Sequence, residues 1–326
     1  RKLIGCIVMS SKSNNQGRAY EFAYLNILHE EISKYRFSRI EKNSSYEAAE
    51  KAWHTLEESE KDMYKLSALA GANAILELEP LILDDGDDEL ELKIQADEKG
   101  KEGDVRDVLI IRRNIEWEIG LSVKHNHFAV KHSRLSKGLD FGEKWYGIKC
   151  SEEYWNDVKP IFDYLEQEKS KESKWKDLPN KEDDVYYPLL MAFKGELDRQ
   201  NKLYSKDIPK LMVEYLLGEF DFYKVIGIDS KRITQVQSYN LRGTLNKEGV
   251  KRKRSIKLPI ASLPTRIVSL EFKPGSKNTL ELYLDRGWQF SFRIHNASSK
   301  VETSLKFDIQ IIGMPTTIIS IDCKWN

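Results

Sequence analysis

Asp107 and Lys124 both lie in the run GDVRDVLIIRRNIEWEIGLSVKH, which begins at Gly103. If they project from one face of a β-hairpin, a carboxylate able to hold a divalent cation stands beside an ammonium able to position water or stabilise developing charge. That pair suits metal-assisted attack on a phosphodiester. The surrounding residues call for such a hairpin. Ile115, Trp117, Ile119, Leu121 and Val123 alternate with Glu116, Glu118, Gly120, Ser122 and Lys124, the period of a strand with one apolar and one polar face. After Asp107, Val108 to Ile111 is continuously aliphatic, the pattern of a strand covered on both faces. Arg113-Asn114 suits the turn between them. A four-residue loop from Arg113 to Glu116 sets Arg112 against Trp117 and Asp107 against Ser122, whereas a two-residue turn moves Asp107 opposite Gly120. Both registers leave Asp107 and Lys124 on one face, with Gly120 as a gap where a ligand backbone could approach. An ordinary surface ion pair on a hairpin satisfies the same spacing.

The strand runs into KHNHFAVKHSRLSK, where Lys124, His125, His127, Lys131, His132, Arg134 and Lys137 occur with no acid before Asp140. Donors concentrated beside a metal-type site offer that site to a polyanion. Ser122, His125, Asn126, His127, Lys131, His132 and Arg134 are therefore candidate contacts to such a polyanion. A zinc cluster of His125, His127 and His132 competes with this reading, but no Cys or carboxylate stands at finger-like spacing.

These runs, together with SKSNNQGRAYEF near the N-terminus and GWQFSFRIHNASSKVETSLKFDIQ near the C-terminus, resemble the HaeIII family of type II restriction endonucleases over nearly the whole chain. The resemblance implies a nuclease of the PD-(D/E)xK superfamily, dependent on Mg2+ and acting on double-stranded DNA, which would be that polyanion. GGCC is then the expected target, cut bluntly at its centre, with a cognate DNA methyltransferase as the functional partner. Against the superfamily pattern, Asp107 falls at the metal-binding Asp and Lys124 at the catalytic Lys. Ser122 departs from the pattern, which has Asp or Glu there, and a hydroxyl is a poor ligand for a hard cation. A second acid must come from elsewhere. Glu118 is on the correct face but about 13 Å along the strand from Ser122, at ~3.3 Å per residue. Glu21 is the other candidate, since some superfamily members recruit the acid from a neighbouring helix. It continues a helical stripe with Leu25, Leu28 and Ile32, where a carboxylate needs a cation or a basic partner.

The 326 residues carry as many Lys plus Arg (52) as Asp plus Glu (52), so DNA affinity must arise from charge segregation within the fold. Cys6, Cys150 and Cys323 form no CxxC pair, the usage of a reducing cytoplasm. No apolar run reaches membrane-spanning length, and residues 1–8 read as a leader ahead of Met9. A mobile polar stretch from Ser11 to Gly17 is expected to precede a helix from about Gln16 to Tyr35. Two helices follow over 44–78, with Gly71 as the stop between them. Asp84, Asp85, Asp87, Asp88, Glu89 and Glu91 read as a solvated turn whose Gly86 spacing does not fit an EF-hand. A strand from Leu90 to Ala96 and a flexible approach from Lys99 to Gly103 lead to the hairpin.

Ser151 to Leu217 is helical, and Phe220 to Ile228 reads as a strand. Between Arg242 and Lys277 ten basic residues face two acids, with Lys251, Arg252, Lys253 and Arg254 in succession as candidate phosphate contacts. Trp288, Phe290, Phe292 and Ile294 alternate with polar neighbours, as do Leu305, Phe307, Ile309 and Ile311. Such a sheet could offer Arg293, His295 and Asn296 to base edges. The expected fold is α+β: a PD-(D/E)xK nuclease core with a mixed sheet flanked by helices (1–150), a helical segment (151–233) and a β-rich DNA-recognition region (234–326). The alternative function is a catalytically inactive sequence-specific DNA-binding protein, because of Ser122. A methyltransferase is disfavoured, since no GxGxxG loop follows a strand. A palindromic target favours a homodimer by symmetry, though sequential cutting by a monomer meets the same need.

Overall fold

The computed structural model describes residues 4–84, 86, 88–96 and 103–326, with side chains from Asn15 onward. Asp85, Asp87 and most of the approach to the hairpin (97–102) lie outside it. Helix α1 spans Ile4–Ser33, so the stretch from Ser11 to Gly17 is helical, in contrast to the mobile segment expected. Lys is a good helix former and Ser and Asn modest ones, and extending an existing helix costs far less than starting one. Helices α2 (Ser44–His54), α3 (Glu58–Leu78) and the short α4 (Pro80–Leu83) follow. Gly71 lies inside α3, not at a break. A Cβ there would come within 2.5 Å of the Tyr24 hydroxyl and 2.9 Å of Thr234 Cγ2, so the glycine serves close packing.

The strands in chain order are β1 (Ser38–Glu41), β2 (Leu90–Ile94), β3 (Val108–Arg112), β4 (Trp117–His125), β5 (Ala129–Lys131), β6 (Arg134–Ser136) and β7 (Phe222–Ile228). They continue as β8 (Ile233–Tyr239), β9 (Ile267–Phe272), β10 (Thr279–Leu284), β11 (Gln289–Asn296), β12 (Ser304–Gly313) and β13 (Ser320–Lys324). The architecture is mixed α+β with two sheets. It divides into two compact units, each discontinuous in sequence: Arg1–Phe128, Gly218–Ala261 and Thr316–Asn326 form the first, and Ala129–Leu217 with Ser262–Pro315 the second. These units cut across the three consecutive segments expected from composition, because β7, β8 and β13 pair into the sheet of the hairpin. Among the described residues no helix is long and apolar enough to cross a membrane.

In the first unit the sheet order is β1-β2-β3-β4-β7-β8-β13, with β1 parallel to β2 and β4 parallel to β7. Tyr20, Tyr24, Leu25, Leu28 and Ile32 of α1 and Tyr64, Ala68 and Ala72 of α3 pack against one face, meeting Ile119, Leu121 and Val123 of β4 and Tyr223 and Val225 of β7. A one-residue slip of β4 would expose all three of its apolar side chains, each worth roughly 1.5–3 kcal/mol when buried, so the register is strongly set. The opposite face carries the polar row of β4.

The second unit has a sheet ordered β5-β12-β11-β10-β9, with β6 also on β12. Its helices are α5 (Phe141–Tyr146), α6 (Glu152–Ser170), α7 (Tyr187–Leu203) and α8 (Ile208–Leu217). Trp288, Phe290, Phe292, Ile294, Leu305, Phe307 and Ile309 are fully buried, as their alternation predicted.

Candidate active site on the β3–β4 hairpin

The hairpin closes through a four-residue loop. Arg113–Ile115 forms one turn of 3-10 helix, and Glu116 takes a left-handed conformation with φ 49°. Arg112 therefore pairs with Trp117 and Val108 with Leu121, which places Asp107, one residue ahead of β3, beside Ser122. Of the two registers compatible with the sequence, this is the four-residue one. Asp107 keeps its backbone bond to the Leu121 carbonyl (2.8 Å). Its Oδ2 then accepts the Val123 N–H (2.7 Å), Lys124 Nζ (2.8 Å) and, at 3.4 Å, the Ser122 hydroxyl. Its carboxylate thus continues the ladder where the backbone of β3 departs. Both charges remain accessible, the side chains being 21% exposed for Asp107 and 28% for Lys124. Burial works against the Lys124 ammonium, but the Asp107 and Glu21 carboxylates more than offset it and hold its pKa above the ordinary lysine value. Glu21, at the edge of the buried stripe of α1, is thus brought into the field of Lys124.

Glu118 is placed differently. It pairs with Ile111, four residues back along β4 from Ser122, and accepts Arg106 Nη1 at 2.8 Å. Arg106, almost fully buried, also binds Asp104 through Nε and Nη2 and lies 3.9 Å over the Phe220 ring. Its aliphatic stem fills the space above Gly120: a Cβ on that glycine would sit 2.1 Å from Arg106 Cδ. The gap expected to admit a ligand backbone therefore holds Arg106.

Sequence reasoning missed Lys224. Parallel pairing sets it beside Ser122 on the same face of the sheet, only 3% exposed. Its Nζ donates to the Phe128 carbonyl at 2.8 Å. Burial, aided by the Lys124 charge and opposed by Asp107, pushes its pKa down to about 7. The signal was a lone Lys inside the apolar run FDFYKVIGI, uninformative until the register of β7 against β4 was known.

The expected DNA contacts are placed as follows. His125 is bound by Tyr64 and Asp229, and Asn126 by Asp229, so neither imidazole nitrogen of His125 is available for a zinc cluster. His127 and His132 are exposed and fall in different units. Lys131 Nζ donates to the Tyr215 carbonyl at 2.7 Å and lies 3.9 Å from the centre of that ring. Burial, with Lys144 adding, pushes its pKa down to about 8. Arg134 is exposed beside Ser304.

The 251–254 run presents exposed Lys251, Arg252 and Lys253 side chains. Its backbone is held by Asp84, whose buried carboxylate accepts the N–H groups of Val250, Lys251 and Arg252. Asp88 binds Arg36 and Arg112, so the acid run is not a solvated turn: its described members pair with donors distant in sequence. In the second unit Arg293 is 54% exposed and held by Asp308 at 3.0 Å. His295 donates toward the Asn296 carbonyl, and burial, then Arg293 and Lys306, hold its pKa below the usual histidine value. Asn296 accepts from Tyr186 and donates to the Ser298 carbonyl.

An aspartate and a lysine are thus in contact on one hairpin face, with a helix-borne glutamate in the field of the lysine. Comparison with known proteins identifies the class. Residues 17–315 match the HaeIII restriction endonuclease family, and the chain belongs to it. Over 318 residues, 98% of this chain and 100% of the relative, it is 57% identical to the type II restriction enzyme HaeIII of Haemophilus aegyptius. No solved structure matches the chain.

Proposed function

We propose that this chain cleaves double-stranded DNA at a specific site by magnesium-assisted hydrolysis on the Asp107–Lys124 face. Membership of a restriction endonuclease family makes DNA the substrate and phosphodiester hydrolysis the reaction. The observation that carries the site assignment is Lys124 Nζ at 2.8 Å from Asp107 Oδ2. Among the described residues, every hydrogen bond that Asp107 accepts through its side chain falls on Oδ2. Oδ1 is therefore open to a cation, and an all-oxygen set from Asp107 and Glu21 suits hard Mg2+. When bound, such an ion polarises the phosphodiester and eases ionisation of the attacking water. Lys124 orients that water or offsets charge developing on the phosphoryl oxygens. Asp107 aims the ammonium, and its own position is set by the Val123 N–H.

An acid on a helix in the field of a hairpin that carries Asp and Lys supports reading the first unit as a PD-(D/E)xK core. The expected target is GGCC with blunt cleavage at its centre, by analogy with the family. A cognate methyltransferase would protect host DNA, two copies acting by symmetry suit a palindrome, and the isolated thiols suit the cytoplasm. Digestion of a plasmid of known sequence with magnesium, followed by mapping of the ends, tests activity and target together. Asp107→Ala and Lys124→Ala should each lose about 10²–10³-fold or more in rate while keeping target binding in calcium. A near wild-type rate for either variant overturns the site. Binding without cleavage by the unmodified protein would establish the inactive alternative.

A further inference from the structure

We propose that His125, held between Tyr64 and Asp229, is a positioning residue that fixes Lys124 against Asp107; this rests on the nuclease reading of that pair. Lys124 sits where β4 is least supported. Pairing with β3 extends no further than Leu121, so among the described residues the backbone of β4 beyond it has a strand partner only on the β7 side, where Lys124 pairs with Ile226 and His125 with Gly227. A strand end held on one side frays readily, yet a catalytic group must stay within about 0.5 Å of its working position.

His125 counters that fraying. It is the last residue of β4, and alternation turns its ring away from the Lys124 face toward α1 and α3. There Nε2 lies 2.8 Å from Asp229 Oδ1 and Nδ1 3.1 Å from the Tyr64 hydroxyl. A carboxylate only accepts, so Nε2 carries a proton. Burial, followed by the Glu60 and Asp229 carboxylates, raises the pKa of the Tyr64 phenol, which keeps its proton and shares a hydrogen bond with Nδ1. The ring is therefore held at both nitrogens. The Tyr20 and Tyr64 rings close around it, with centroids at 5.4 and 4.5 Å.

Asp229 completes the clamp. Its Oδ2 accepts Asn126 Nδ2 at 2.8 Å, its own N–H donates to Asn126 Oδ1 at 3.0 Å, and the Asn126 N–H reaches the Gly227 carbonyl at 2.8 Å. Asn126 takes the left-handed φ of 50° that this turn requires, a conformation Asn tolerates better than most residues. The chain leaving Lys124 is thus tied to the turn after β7 by the His125, Asn126 and Asp229 side chains.

The test is single-turnover cleavage of target DNA at saturating magnesium by Asp229→Ala, with target affinity in calcium measured alongside. We expect the rate to fall about 10- to 100-fold, the scale of an ångström-sized misplacement, with affinity within about 3-fold, since binding is not its role. If the clamp acts through Lys124, Asp229→Ala should cost nothing further in a Lys124→Gln background. A purely structural role would lower both backgrounds alike and overturn the proposal, as would an Asp229→Ala rate within about 3-fold of the unmodified protein. Should Asp229→Ala not fold, His125→Phe carries the same test: it keeps an aromatic ring among Tyr20 and Tyr64 and removes both bonds. A Lys124→Gln variant cutting at the unmodified rate would instead overturn the parent reading of the site.

Discussion

For the proposed cation at Asp107, the second anionic ligand is decided by which carboxylate reaches that residue. Ser122 cannot supply it, and the two candidate acids, Glu118 and Glu21, have different neighbours. Glu118 is committed to Arg106 at 2.8 Å, a guanidinium too deeply buried to go without its acids. Glu21 is in the field of Lys124. Glu21→Gln should therefore retain the fold and DNA binding, lose about 10- to 100-fold in cleavage and raise the magnesium concentration for half-maximal rate. Glu118→Gln should leave that concentration unchanged and lower thermal stability instead. The opposite ranking in a magnesium titration would move the ligand to the strand. Lys224 adds a second amine to the same face, so the row Asp107, Ser122, Lys224 is less anionic than a row with an acid at 122.

At the scale of elements, the sheet is built from one hairpin design used twice. The β3–β4 and β7–β8 links are each a single 3-10 turn closed by a non-glycine residue in the left-handed region, Glu116 and Arg232, both with φ 49°. Between α3 and α4, Glu79 is fully buried; its Oε1 accepts the Tyr223 hydroxyl and the Asn246 N–H, each at 2.6 Å, while Oε2 has no partner among the described residues. Burial pushes its pKa up to about 7 from an ordinary 4.5, against the lowering effect of those two bonds. The folded state therefore holds this proton more tightly than the unfolded chain. Stability should fall as pH rises from about 4.5 and level off above about 7, by roughly 3 kcal/mol in total. Urea unfolding of the unmodified protein and Glu79→Gln across that window should show this slope only in the former. Parallel curves would mean that Glu79 ionises without cost.

On the scale of the whole molecule, a chain with no net charge must gather its cations to hold DNA. The Lys251–Lys253 side chains are exposed while their backbone is anchored on Asp84, a geometry that presents charge without flexibility. Changing Lys251, Arg252 and Lys253 to Gln keeps those backbone donors. It should weaken binding to all sequences alike and flatten the log–log salt dependence by about 0.9 for each phosphate no longer neutralised. Fluorescence anisotropy at several salt concentrations would show this, and an unchanged slope would make the loop purely structural.

What the sequence by itself determined was everything governed by short-range periodicity: the hairpin with Asp107 and Lys124 on one face, the apolar stripe of α1, and the alternating strands of the second sheet. Its long motifs were also specific enough to point to the family. Contacts between residues far apart in sequence were decided only by tertiary structure. Alternation could show that Glu118 and Ser122 share a face, but not that Arg106 would claim the first and Lys224 stand beside the second. Composition could show a basic 251–254 run and an acidic 84–91 run, but not that the buried Asp84 carboxylate needed three N–H donors and found them in the basic run. Nor could it separate a histidine that reads DNA from one whose ring is locked between Tyr64 and Asp229, since both begin as a His beside a Lys at the end of a strand. The reason is physical: periodicity is set by bonds along the chain, whereas a buried polar group takes its partner from whatever the packed core brings within hydrogen-bond distance.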